Sequence, residues 1–233
     1  MSTLPKRDVG VIIVAGGTGS RVGGDELKQF RWVAGKPMLL HSVQAFLSHA
    51  AVGTVVCVLP QRYAGDPPPW LFQCDVDRLL VSLGGRTRSE SVANGLDDLP
   101  DEAEIVLVHD AARPLVDMET VNRVIASVRD GVSAIAALPL GDTLKEVAED
   151  GIIVRTVPRE RLWRAQTPQG FPRRVIVDAH ARAKAENISA TDDAALLERL
   201  GIPVRVVRGS ERMLKVTEPD DFARIETLSG ADA

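Results

Sequence analysis

Short runs of β-branched and aliphatic residues alternate with longer amphipathic segments along most of this chain, and no other feature restricts its fold as strongly. Strand-like runs cover residues 9–15, 54–59, 78–82, 105–108, 132–138 and 204–207, and helical periodicity covers 37–49, 89–99, 118–129 and 172–186. Repeated strand-then-helix order predicts an α/β fold, a mostly parallel sheet with helices on both faces. Pro37 is placed to open the first helix within its first turn. Thr191-Asp192-Asp193 reads as a later helix start, and Gly201 and Pro203 should end that helix.

Two stretches break the pattern. Asp66-Pro67-Pro68-Pro69-Trp70 is too proline-rich for a helix or central strand and predicts a surface connection with polyproline II character. Residues 143–147 and 152–157 are strand-like and flank Ala148-Glu149-Asp150-Gly151, where Asp-Gly signals a hairpin. A lone two-stranded hairpin is barely stable in water, so an arm spanning about 141–162 should pack on something, and a second subunit is the expected surface. No internal repeat or second domain is evident, so 1–233 is expected to be one domain, with a frayed tail at 229–233.

Composition narrows the class. Of the 233 residues 45% are hydrophobic and 26% charged, with net charge -4, as in a soluble globular protein able to bury its own core. The longest apolar runs, 11–15 and 132–140, fall short of the ~18 residues that a membrane-spanning helix needs. The first of these runs straight into glycines and so reads as a strand, not a signal peptide. Scattered basic residues argue against a nucleic-acid footprint. Cys57 lies in an apolar strand as a core thiol, Cys74 stands alone, and the absence of CxxC suits a reducing cytoplasm.

The chemistry should follow the strands. Residues 11–15 feed Gly16-Gly17-Thr18-Gly19-Ser20-Arg21, a loop whose glycines expose backbone N–H groups to phosphate. No Gly-Lys-Ser/Thr follows, and Val22 stands where a dinucleotide fingerprint has its third glycine. Arg21 and, seven residues on, Lys28 in Lys28-Gln29-Phe30 supply cations suited to charge shifting between phosphate oxygens. Gly84-Gly85-Arg86-Thr87-Arg88-Ser89-Glu90-Ser91 repeats the strand, glycine, helix order, and taken alone it equally suits a helix cap with solvated charges. His109-Asp110-Ala111-Ala112-Arg113-Pro114 delivers a carboxylate to the same sheet edge, where it would bind Mg²⁺ or polarise a hydroxyl or phosphate group. Asp110 also suits a turn at a strand end, and His109, with no second histidine at ligand spacing, reads as a structural hydrogen-bonder. Asp142-Thr143 with Arg159, Thr191-Asp192-Asp193 and Leu214-Lys215-Val216-Thr217 are weaker signals. Thr191 suits a simple helix cap and Lys215 an edge-strand gatekeeper.

Taken together, and with Thr167-Pro168-Gln169, these motifs occur in the order found in the 2-C-methyl-D-erythritol 4-phosphate cytidylyltransferase family, which the chain resembles from about residue 9 to 226. The resemblance implies a Rossmann-like nucleotidyltransferase that joins CTP to a sugar-alcohol phosphate with Mg²⁺ and releases pyrophosphate. It implies that Arg21, Lys28 and Lys215 are catalytic, and that Ala15, Gly16, Gly17, Gly19, Gly84, Gly85, Arg88, Ser91 and Asp110 bind CTP. It puts Asp110, Ala111, Arg113, Thr143, Arg159, Thr191 and Lys215 on the acceptor, with Mg²⁺ held mainly by the CTP phosphates and Asp110 as its protein ligand. Thr143 and Arg159 would reach a neighbouring subunit's site, making the active unit a homodimer in the cytoplasm.

Two positions depart from the family pattern: Val14 and Leu27 stand where prolines are common. Leu27 leaves φ before Lys28 unrestrained. A ribitol 5-phosphate cytidylyltransferase is the nearest alternative, since it would share the CTP half. A non-catalytic nucleotide-binding relative would have little use for Arg21, Lys28, Asp110 and Lys215 together.

Overall fold

The computed structural model describes residues 6–17, 27–188 and 190–230. Among them the elements run β1 (Val9–Val14), β2 (Trp32–Val33), β3 (Lys36–Pro37), α1 (Met38–Ser48), β4 (Val52–Leu59), α2 (Gln61–Ala64), β5 (Leu79–Leu83), α3 (Arg88–Asp98) and β6 (Ile105–Asp110). They continue with α4 (Met118–Arg129), β7 (Ser133–Pro139), β8 (Leu144–Val147), β9 (Ile153–Val157), β10 (Trp163–Pro172), α5 (Arg173–Ala185), α6 (Asp193–Arg199), β11 (Val204–Arg208) and α7 (Asp220–Gly230). Seven strands form the central sheet in the order β11-β7-β10-β6-β1-β4-β5. Every pairing is parallel except those of β10, which runs antiparallel to β6 and β7.

Side-chain alternation along the central strands divides the core in two. Val9, Val11 and Ile13 of β1, with Val55 and Cys57 of β4, face α1 and α4 and pack on Phe46, Val43, Val121 and Val124. Ile12, Val56, Val58, Val106 and Val108 point to the other face and meet Val92 and Leu96 of α3, Ile176 and Ala179 of α5, and Leu196 and Leu197 of α6. Residues buried on both faces make these strands read as continuous apolar runs. Each large side chain so buried contributes about 1.5–3 kcal/mol.

The helices start where their caps allow. Thr87 accepts from Glu90 N (3.1 Å), Asp117 from Thr120 N (2.9 Å) and Asp192 from Ala195 N (3.0 Å), each satisfying an N–H that the first turn leaves open. The later helix therefore starts on Asp192, and Thr191 is exposed before it. Pro37 likewise precedes α1 as its cap and belongs to the β2–β3 hairpin. The proline stretch is extended at Pro68 (φ -54, ψ 133) but then coils into a 3-10 turn, Pro69–Gln73, that buries Leu71. Strand β6 continues past 108 to Asp110.

Strand β10 and helix α7 have no counterpart in the expected elements. Trp163–Pro172 carries prolines, glutamines and an arginine, and its register shifts between Ala165 and Gln169, yet it is buried from Gln166 to Phe171 between β6 and β7. The tail expected to fray from 229 is helical through Gly230. The hairpin at 143–157 forms as β8 and β9, with Gly151 at φ 85 in its turn, and pairs with no other strand among the described residues. Val147, Ile152, Ile153 and Val154 are exposed along it. Cys57 and Cys74 are both free thiols. No helix among the described residues is long and apolar enough to cross a membrane.

Candidate active site

The sheet's strand order reverses at β1, with β4 and β5 on one side of it and β6 on the other, and such a reversal point opens a crevice at the carboxyl ends of the strands. A cavity of about 360 Å³ occupies that crevice. Three strand ends build it: Val14 to Gly17 after β1, Gly85 to Arg88 after β5, and Asp110 to Ala112 at β6. Lys28, Gln29, Ser91 and Lys215 complete the lining. Its size lies near the lower end of the range of about 300–1,000 Å³ usual for small-molecule sites.

Backbone bonds bring the loops together. Ala15 N donates to Val58 O (2.9 Å), Gly84 N to Leu59 O (2.7 Å) and Ala111 N to Val14 O (3.1 Å). Gly16 and Gly84 approach so closely that a Cβ on Gly84 would lie 2.9 Å from Leu59 O and 3.5 Å from Gly16 Cα. Ser91 ties the second loop down: its hydroxyl donates to Thr87 O (2.9 Å) and accepts from Gly85 N (3.0 Å).

Gln29, which the sequence showed only as a neighbour of Lys28, anchors the first loop. Its buried amide donates to Ala15 O (2.5 Å) and Gly17 O (3.1 Å). These two bonds fix the course of Ala15 to Gly17 along the cavity wall. Lys28, in the 3-10 turn Lys28–Phe30, donates to Val216 O (2.9 Å). Leu27 has φ -61, the value a proline would impose, so the backbone before Lys28 keeps its course without one.

A chain of alternating charge crosses the cavity floor. Lys215 Nζ meets Asp110 Oδ2 at 2.6 Å, Arg88 Nε meets Asp110 Oδ1 at 3.3 Å, and Arg88 Nη1 meets Asp193 Oδ2 at 2.7 Å. Burial alone would raise the Asp110 carboxyl, but the Arg88 and Lys215 cations override it and hold it well below the usual carboxylate range. Burial would likewise strip Arg88 of its proton, and the two carboxylates reverse that and raise it. Asp110 is thus an anion already shared by two cations, and neither the gatekeeper reading of Lys215 nor the simple turn reading of Asp110 describes them.

His109 is a structural hydrogen-bonder. It is fully buried, with Nε2 3.0 Å from Arg113 O and Nδ1 3.1 Å from the Thr167 hydroxyl, which accepts from Asp110 N at 3.1 Å. Burial pushes its pKa down to about 4. Gln169, two residues beyond Thr167, clamps α6 through Asp192 Oδ2 (2.8 Å) and Ala194 N (3.2 Å). This is what the Thr167-Pro168-Gln169 motif does locally, from a strand with no clear periodicity.

Among the described residues, Arg113, Thr143, Arg159 and Thr191 are not on the cavity wall. Arg113 bonds Met213 O (2.7 Å) and Ala165 O (3.3 Å) and secures the loop that carries Lys215. Thr143 and Arg159 are exposed at the base of the arm, where Arg159 donates to Gly141 O. Thr191 is exposed beside α6. Gly19 and Arg21 lie outside the described residues. Arg86 and Thr87, which line the cavity, were not among the expected site residues.

Among the described residues no group of three His, Cys, Asp or Glu side chains is arranged to hold a metal ion. Among them, too, Asp110 is the only carboxylate on the cavity wall, and both of its oxygens already accept from cations. That donor set suits an Mg²⁺ carried by a ligand's phosphates, with at most one protein oxygen, and not a protein-built cage.

The model of the family described as 2-C-methyl-D-erythritol 4-phosphate cytidylyltransferase matches residues 9–230. A protein of that name from Syntrophus aciditrophicus is 40% identical over 226 residues, covering 96% of each chain. One from Streptomyces coelicolor is 44% identical over 227 residues, 93% of this chain and 83% of its own. A "Bifunctional enzyme IspD/IspF" from Desulfotalea psychrophila is 38% identical, and the chain spans only 56% of its length. The crystal structure of 2-C-methyl-D-erythritol 4-phosphate cytidylyltransferase from Thermus thermophilus superposes with TM-score 0.79 at 33% identity, covering 94% of this chain and 98% of its own. By its match over residues 9–230 and these relatives, the chain belongs to the 2-C-methyl-D-erythritol 4-phosphate cytidylyltransferase family.

Proposed function

We infer that this protein transfers the cytidylyl group of CTP to the phosphate of 2-C-methyl-D-erythritol 4-phosphate and releases pyrophosphate. The observation that carries this reading is the convergence of Lys28, Lys215, Arg88 and Asp110 on a cavity floored by a glycine loop, in a chain of this family.

In the reaction an oxygen of the acceptor phosphate attacks the α-phosphorus of CTP in line, and the bond to the β-phosphate oxygen breaks with its electron pair leaving on pyrophosphate. The backbone N–H groups of Gly16 and Gly17 cradle the triphosphate. Lys28 and Arg21 meet the charge that grows on the α-phosphate and the leaving group, and Lys215, held by Asp110, meets the incoming phosphate. Gly84, Gly85, Arg88 and Ser91 form the base and ribose side, where a narrow pocket edged by backbone groups excludes a purine. Asp110 would be the protein ligand of an Mg²⁺ held mainly by the CTP phosphates, and the ion would supply neutralisation of phosphate charge. Ala111, Arg113 and Thr191 serve the acceptor side.

Residues 1–233 act as one catalytic unit and the 141–162 arm as its dimerisation element. The arm's exposed Ile152, Ile153 and Val154 support this, since a free hairpin leaves them in water. Thr143 and Arg159 then complete the partner's acceptor site in a homodimer. The free thiols Cys57 and Cys74 fit a reducing cytoplasm.

Pyrophosphate release with CTP and Mg²⁺ tests the reading, with 2-C-methyl-D-erythritol 4-phosphate compared against ribitol 5-phosphate as acceptor and ATP, GTP and UTP as donors. Turnover is expected with CTP and the first acceptor. Turnover with ribitol 5-phosphate alone moves the enzyme to the other acceptor, and none with either overturns the catalytic reading.

A further inference from the structure

Two adjacent acids open α6, and only the first is used as a cap: Asp192 Oδ1 accepts from Ala195 N at 3.0 Å. Asp193 turns inward and is 1% exposed. Its Oδ2 accepts from Arg88 Nη1 at 2.7 Å, and its Oδ1 lies 3.0 Å from His180 Nε2 on α5. A carboxylate buried this deeply is costly, and apolar residues often stabilise such a position equally well, so the fold alone does not call for it.

Its effect on Arg88 does account for it. A guanidinium beside a single carboxylate tends to swing into the bidentate, fork-to-fork arrangement. Arg88 does not do so: its Nε reaches Asp110 Oδ1 at 3.3 Å while Asp193 draws Nη1 the other way. Two consequences follow. Asp110 Oδ2 stays available to Lys215, which sits 2.6 Å from it. The third nitrogen, Arg88 Nη2, has no hydrogen-bond partner among the described residues, in a side chain that lines the cavity.

We propose that Asp193 is a positioning residue of the transfer site: through Arg88 it keeps the guanidinium from closing on Asp110, and so holds both the donor that meets the nucleotide and the cation, Lys215, that meets the acceptor phosphate. The proposal rests on the cytidylyltransferase reading above. His180, against the outer oxygen of Asp193, with Ser89 Oγ 3.4 Å from its Nδ1, backs the carboxylate from the side away from the cavity.

The test is a double-mutant cycle on D193N and R88A, read as kcat and KM for CTP and for the acceptor, alongside thermal melting. Asn is isosteric and keeps an acceptor for Arg88 and a polar group for His180, but it lacks the charge. D193N is expected to lower kcat/KM about tenfold or more, as misplacement of a reacting group does. In the R88A background the same change is expected to cost less than about twofold, because a residue acting through Arg88 has nothing left to position. Arg88→Lys keeps the charge but gathers its donors on one nitrogen, so it cannot hold both carboxylates and still present a separate third donor, and its kcat/KM is expected to fall as in D193N even should D193N not fold. Losses that multiply across the cycle, a D193N enzyme changed only in melting, or an Arg88→Lys enzyme with wild-type kcat/KM would each overturn the proposal. A wild-type enzyme without turnover defeats the reading of function and the proposal with it, whereas wild-type turnover with unaffected variants defeats the proposal alone.

Discussion

Lys215 and Asp110, 105 residues apart in sequence, meet at 2.6 Å across the cavity. The contact joins the end of β6 to the loop before α7, which Val216 N fastens to Ala112 O at 2.8 Å and Arg113 fastens through Met213 O. Lys215→Ala leaves Asp110 paired with Arg88 alone. Loss of a preorganised cation predicts a fall in kcat of about 100-fold or more with a smaller change in CTP affinity. Pyrophosphate-release kinetics with calorimetric CTP binding would show this. An unchanged kcat would reduce Lys215 to a tie for the C-terminal loop.

Gln29→Glu puts a carboxylate against two carbonyl oxygens, Ala15 O and Gly17 O, to which it cannot donate. A buried group left unsatisfied in this way predicts roughly tenfold weaker CTP binding. A protonated Glu regains one donor, so the defect should ease as pH falls. Binding measured from pH 8 down to pH 5 checks the direction, and a defect independent of pH would count against the clasp.

Gly85→Ala would bring a Cβ to 2.3 Å from Glu90 Cβ and 3.0 Å from Ser91 N, so the loop must shift and its bond to the Ser91 hydroxyl is lost. Weaker CTP binding by tenfold or more is expected, while Gly65→Ala, where no atom lies within 4 Å, should bind CTP as the wild type does. Equal affinity of both variants and wild type would show that the second loop does not shape the nucleotide site.

His109 supplies a pH dependence. Its folded pKa is pushed down to about 4 by burial, below the ordinary value of 6.5, so between those limits the unfolded chain binds more protons. Stability should therefore be full above about pH 6.5 and fall as pH drops toward 4, by about 3 kcal/mol for this one group. His41, also lowered by burial, adds in the same direction. Melting curves across this range should be flatter for His109→Asn than for wild type, and parallel curves would refute the assignment.

The exposed face of the arm leads to a prediction about assembly. Ile153→Arg should convert a dimer to a monomer by sedimentation and abolish turnover, since Ile153 is 58% exposed on a hairpin that pairs with no other strand among the described residues. Arg159→Ala and Arg21→Ala subunits, inactive apart, should regain activity when mixed. A monomeric wild type would remove the arm from the mechanism.

Much of the architecture is local and so legible in the residues. Four of the six apolar runs, those of β1, β4, β6 and β7, are buried on both faces, the edge strands β5 and β11 only in part, and the glycines at 16, 17, 84 and 85 mark where strands must hand over to tight loops. Those facts depend on neighbours in the chain, and so does the hairpin with its Asp150-Gly151 turn. Strand β10 was not legible. Its polar and proline-bearing sequence is accepted between β6 and β7 because Gln166, Thr167 and Gln169 each find partners from distant segments. Helix α7 was likewise hidden, as its start is set by Asp221, which accepts from Thr217 N at 2.8 Å and Glu218 N at 3.0 Å.

The candidate site divides in the same way. Its residue types and strand-end positions follow from the sequence alone, because parallel strands present their carboxyl ends along one edge. The pairings do not: which cation shares Asp110, what Gln29 holds, and why α6 begins with two acids all depend on side chains brought together from 12 to 105 residues away. Electrostatic pairing falls off over a few ångströms, so only the closed tertiary structure decides which charges meet, and with them which carboxylate stays ionised and which arginine donor remains for the ligand.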